Sequence, residues 1–128
     1  MNARDVHLAV DAALMAHAGL QALVGGRIFS EVVPEKTPLP YIRYGSSGEL
    51  NNPRFGRDGS RGDKVIDVFG THKDQVLQVA DQIHAALHRV RLPLPGDGWC
   101  VGVVELTGTV PDEVTGAHAV VRYLPRVP

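Results

Sequence analysis

Hydrophobic positions along the chain change period several times, and each change marks an element. Over residues 3–18, Val6, Val10, Ala13, Leu14 and His17 recur at helical spacing and trace one face. Asn2 is a good N-cap for that helix, with Asp5 three residues on as a variant of the capping box. Gly19 breaks the run, and residues 20–24 fit a last short turn that Gly25-Gly26 stops. Residues 27–33 read as extended and end at Pro34. Pro38 and Pro40 hold the following stretch away from helical geometry, so residues 41–45 read as the first main strand. Residues 64–69 are the second, with Ile66 and Val68 on one face and Val65, Asp67 and Phe69 on the other. A helix over 73–90 follows, with Thr71 as cap and Asp74 at the N3 position. Its stripe is Val76, Ala80, Ile83, Leu87 and Val90, and Pro93, Pro95, Gly96 and Gly98 end it. Residues 99–107 and 117–124 are the last two strands, joined by a loop carrying Pro111 and Gly116.

This order predicts an α+β fold: a largely antiparallel sheet of about four strands, with two main helices packed on one face. Both faces of the sheet carry apolar residues. Val65 and Phe69 oppose Ile66 and Val68; Val120 and Leu124 oppose Ala117, Ala119, Val121 and Tyr123. Two readings stay open for the second face: a neighbouring subunit covers it, or the first helix and the loops do. Between the first two strands, residues 46–61 show no periodicity, and a loop that long inside a compact domain is functional or disordered.

Composition narrows the function. A chain of 128 residues is expected to form one domain spanning 1–128, with a long flexible loop at about 46–62. A formal net charge of -1 argues against a dedicated polyanion binder. A single cysteine, Cys100, forbids an internal disulfide and a cysteine zinc cage, which suits a reducing cytosol. No run approaches the ~20 apolar residues of a membrane helix, and the N-terminal segment is broken by Asp5, His7, Asp11 and His17, so neither a membrane partner nor a signal peptide is expected.

Reactive constellations are weak. His84 and His88 lie four apart on the second main helix, a spacing that can place two imidazoles on one metal, with Asp81 three residues before His84. The bland alternative is a pair of boundary side chains, and no third ligand is evident. Cys100 follows Trp99 in a predicted strand, where a buried inert thiol is the ordinary finding. Gly56, Gly59 and Gly62 lead into a strand with no Gly-Lys-Ser/Thr after them, so they form no phosphate loop. Arg61-Gly62-Asp63 matches a cell-adhesion tripeptide, a match short enough to arise by chance. Between Gly48 and Lys64 four basic residues (Arg54, Arg57, Arg61, Lys64) face three acidic ones (Glu49, Asp58, Asp63), a mixed face suited to protein contacts. No cofactor, metal or catalytic centre is expected.

Taken together, the phrases Leu23-Val24-Gly25-Gly26-Arg27-Ile28-Phe29 and Pro38-Leu39-Pro40-Tyr41-Ile42, the polar loop, the 65–69 strand, the 73–90 helix and a closing strand ending in Arg122-Tyr123 carry a likeness. The chain resembles, over nearly its whole length, the tail completion (tail terminator) proteins of long-tailed phages and of gene transfer agents. The resemblance implies a structural virion protein that forms a ring with itself, most often a hexamer, at the head-proximal end of the tail. Such a ring stops addition of tail tube protein and offers the surface that meets the head–tail connector or stopper. DNA passes through without specific binding, and assembly takes place in the bacterial host cytoplasm. In this reading Arg54, Phe55, Arg57, Arg61 and Lys64 form the candidate assembly interface: one aromatic anchor with bidentate donors beside it. The alternatives are another neck or head-completion component of the same particle and, in a different class, a small cytosolic enzyme or DNA-binding domain.

Overall fold

The computed structural model describes residues 3–45 and 64–126. Helices α1 (Ala3–Ala16) and α2 (Ala18–Val24) lead into strands β1 (Ile28–Phe29), β2 (Tyr41–Gly45) and β3 (Lys64–Gly70). Helix α3 (Lys73–Leu87) and strands β4 (Leu92–Pro93), β5 (Trp99–Asp112) and β6 (Gly116–Arg126) follow. The expected cap of α1, Asn2, lies outside the described residues.

The first helical run breaks at His17, not at Gly19. His17 adopts an extended backbone and caps α2, and the two helices meet at an 80° bend. Gly19 instead sits inside α2, where a Cβ would displace the end of the Gln82 side chain of α3 from its present position. Its bare backbone lets the helices approach, and the His17 ring and Gln82 Oε1 meet at 3.1 Å alongside. Gly25 ends α2 as expected: it takes the left-handed conformation (φ 55°) and donates its amide to the Gln21 carbonyl at 2.8 Å.

Arg27 joins the two phrases 23–29 and 38–42. Its Nη2 donates to the Leu23 carbonyl at the end of α2 (3.2 Å), and its Nε donates to the Pro40 carbonyl (3.1 Å). Its own carbonyl accepts from the Ile42 amide at 3.0 Å, and Ile28 pairs with Ile42 in parallel register. One guanidinium thus closes a helix end and fixes where the first two strands meet.

The sheet has six strands in the order β1-β2-β3-β6-β5-β4, antiparallel throughout except for the β1–β2 pair. The expectation of about four strands missed β1 and β4, each two residues long and too short to show a period. The β5–β6 hairpin is also longer than expected, because the ladder continues through Pro111 to the Asp112–Gly116 pair. A proline is tolerated there because β5, beyond its pairing with β4 and the bridge from Gly102 to His88, is an edge strand.

Alternation along the strands assigns the faces. Ile42, Tyr44, Ile66, Val68, Ala119, Val121 and Tyr123 are buried on one side, the side on which the helices pack. From α3, Val76, Val79, Ala80, Ile83, Ala86 and Leu87 enter the same core, as do Val6, Val10 and Leu14 from α1. Val90, expected at the end of that stripe, lies past the helix and is 38% exposed. The cap of α3 is His72, not Thr71: its Nδ1 accepts the Gln75 amide at 3.2 Å. Gln75 completes the exchange by accepting the amide and hydroxyl of Thr71, while Asp74 binds Gln78. A glutamine at N3 reaches back farther than an aspartate, which is why the pairing shifted by one residue. No single helix among the described residues is long and apolar enough to cross a membrane.

Two stability tests follow from this packing. Ile83→Ala should cost about 2–5 kcal/mol in urea unfolding, since the side chain is fully buried between helix and sheet. Arg27→Ala should cost roughly 1.5–3 kcal/mol, and Arg27→Lys should recover only part of it, because one ammonium lacks the guanidinium fork that serves both carbonyls.

Candidate assembly interface

Of the five residues assigned to the interface from sequence, Arg54, Phe55, Arg57 and Arg61 lie outside the described residues. So do the Arg61-Gly62-Asp63 tripeptide and the loop glycines. Lys64 is described, and it begins β3 opposite Tyr123, on the helix-covered side. Its ammonium sits 4.5 Å from the centroid of the Tyr44 ring, a cation–π contact. Tyr44 in turn donates its hydroxyl to Asp11 of α1 at 2.8 Å, and the His7 ring meets its edge at 5.0 Å. Burial, then the Asp11 charge and its hydrogen bond, push the Tyr44 hydroxyl far above the usual phenol range. His7 is pushed down, first by burial and then by the Lys64 charge, against a smaller opposite pull from Asp11. Lys64 therefore belongs to a polar seam where α1 closes over the edge of the core.

The opposite face of the sheet carries a different arrangement. Tyr41, Phe69, His118 and Val110 occupy paired positions on β2, β3, β6 and β5, forming one row across four strands. The Tyr41 and Phe69 rings stack at 5.2 Å, and Phe69 and His118 stack at 4.5 Å with only 4° between their planes. Phe29 extends the row, edge-on to Tyr41 at 6.1 Å. His118 Nε2 meets Asp67 Oδ1 at 3.0 Å, which pins the imidazole over Phe69. Farther along the same face, Arg43 pairs with Asp67, and Arg122 pairs with both Val65 and Glu105. These rings are only half-buried, and Val110 is 54% exposed.

At one end of the row a shallow groove of about 440 Å³ runs over Tyr41 and Phe69, walled by Val32, Val33 and Val114. Arg43 and Asp112 lie at its margin. Burial and the nearby Asp112 charge push the Tyr41 hydroxyl up, partly offset by Arg43. Asp112 is held down by hydrogen bonds from the Thr115 hydroxyl and amide, so it remains a carboxylate. Rings backed by a rigid sheet and rimmed by both charges suit a protein surface rather than a reaction.

The chemical candidates resolve locally. His84 and His88 do approach, their rings stacked at 4.1 Å. However, His88 Nδ1 accepts the Val104 amide at 3.0 Å, so the neutral ring carries its proton on Nε2 and has no lone pair left for a metal. Burial and the neighbouring His84 and Arg89 also lower its proton affinity. Asp81 joins no such cluster: among the described residues no group of three His, Cys, Asp or Glu could hold a metal ion. Cys100 is fully buried with its Sγ 3.7 Å from the Tyr123 hydroxyl, and a thiol so enclosed has no route to an external substrate. Sequence reading found the Val65–Phe69 alternation but not the aromatic row, whose members lie on separate strands and meet only through the register.

A solved structure described as the virion of a native gene transfer agent (GTA) particle contains a chain with the same fold. The TM-score is 0.68 at 21% identity, covering 96% of this chain and 93% of that one. No curated protein sequence matches the chain. The family described as tail completion protein gp17 matches residues 9–126, from α1 to the last residue of β6. With nearly the whole fold inside that match, this chain belongs to the tail completion protein gp17 family, structural proteins of phage-type tails.

Proposed function

We propose that this protein assembles with itself into a closed ring, a hexamer, at the head-proximal end of a phage-type tail. The ring ends polymerisation of the tail tube protein and presents the surface that receives the head–tail connector. DNA passes through its lumen without specific binding, and the work is done by surfaces, without cofactor or catalysis. Each subunit is a single domain, made and assembled in the bacterial host cytoplasm.

The observation that carries this reading is the row Phe29–Tyr41–Phe69–His118 on the sheet face opposite the helices. Half-buried stacked rings on a rigid sheet supply contact area at low entropic cost, which is what a repeated subunit contact requires. Membership of the tail completion family supplies the particle in which the contact is made. The segment 46–62, between β2 and β3, brings Arg54, Phe55, Arg57 and Arg61 to the same assembly, with Lys64 at its base.

Light scattering coupled to size exclusion tests the ring. The expected result is a mass of about six subunits, in solution or on added tail-tube ends, and a strict monomer under both conditions sinks the reading. Replacing Arg54, Arg57 and Arg61 together by Ala should leave the monomer folded and weaken assembly. A melted monomer would remove the interface role of that segment.

A further inference from the structure

The β5–β6 ribbon carries opposite charge at its two ends. At the tip, Asp112 ends β5 and Glu113 opens the turn, with no basic residue from 112 to 116; Arg43 and Lys36 line the grooves below Val114. The turn is built to hold shape: Asp112 accepts the Thr115 amide at 2.8 Å and its hydroxyl at 2.7 Å. Val114, at the apex, is 91% exposed, more than any other large apolar residue described.

The other end of β5 is basic and apolar together. Arg91 lays its guanidinium 3.8 Å from the Trp99 ring centroid, which orders the cation and leaves it outward. Arg89 is held in a left-handed conformation (φ 57°) while its amide donates to the Gly102 carbonyl at 2.7 Å. Val90, between the two arginines, is 38% exposed. Arg126 lies across the ladder from Val101, and Asp97 in the neighbouring turn is the acidic residue on this side. A non-glycine residue at positive φ is uncommon, and Arg89, Val90 and Arg91 are exposed in succession.

Tip and platform cannot meet within one chain. Fourteen residues of β5 separate them, roughly 40 Å of extended strand. Patches at opposite ends of one element can meet each other only between molecules, and a head-to-tail contact of that kind closes into a ring when its rotation divides the circle. We propose that the hairpin tip of one copy, Glu113 and Val114, docks on the Arg89–Val90–Arg91–Trp99 platform of the next copy of this chain. This contact rests on the ring reading above and specifies one of its joints.

A charge swap tests it. Glu113→Arg and Arg91→Glu should each weaken self-association at least about tenfold, read as loss of the oligomer in light scattering across concentration. The double variant restores opposite charges between neighbours and should recover the oligomer, which also shows that the singles failed by repulsion and not by misfolding. A wild-type ring that survives both single reversals, or a double variant that stays dissociated, overturns the tip–platform contact and leaves the ring standing. A wild-type chain that never self-associates, in solution or on tube ends, overturns the ring and this joint together. If Arg91→Glu keeps the oligomer but lowers binding to a duplex DNA oligonucleotide, the platform is a phosphate site and the joint is refuted.

Discussion

Everything else in this fold depends on one packing constraint: the three helices described share the same face of a six-stranded sheet. The stripe Val76–Val79–Ile83–Leu87 of α3 fills the surface made by Ile66, Val68, Val121 and Tyr123, and α1 and α2 complete that layer. Burial of this kind is what stabilises a domain of this size. Its cost is that, among the described residues, no helix covers the other side, where the alternation of β3 and β6 still places Val65, Phe69, Val120 and Leu124. The aromatic row is therefore a direct product of how the core is made.

The edges of the sheet are managed by smaller devices. On one side Arg27 holds the end of α2, the turn before β2 and the two-residue strand β1 in register. On the other, His88 follows α3 and gives its Nδ1 to the Val104 amide, which satisfies a donor on the open edge of β5. Both are polar side chains meeting backbone groups at an element's end or open edge. The same hydrogen bond that satisfies β5 also removes His88 from metal chemistry.

Local signals in the sequence were legible where periodicity was long or punctuation strong. The α3 stripe, the β3 alternation, the Gly25 stop and the strand after Pro40 are all readable from neighbours along the chain. Features set by register were not. Tyr41, Phe69 and His118 look unrelated until β2, β3 and β6 pair, and His118 gives no hint of Asp67. The shift of the α3 cap to His72 turned on side-chain reach, with Gln75 serving Thr71 where Asp74 could not. The break at His17 was misplaced because Gly19 looks like a helix stop, whereas it lies within α2 with the end of the Gln82 side chain beside it. For the interface, sequence pointed to arginines between β2 and β3. The described surface adds a stacked row and a charged ribbon that only the three-dimensional arrangement assembles.

The strand order has a consequence for how the subunit is born. β6, C-terminal to every other described element, lies between β3 and β5 in the middle of the sheet. A chain made from its N-terminus therefore carries two incomplete half-sheets, each with an open edge, until its last strand arrives and joins them. That one insertion completes both sides of the sheet at once: β6 brings Ala119, Val121 and Tyr123 to the core under α3 and His118 to the aromatic row.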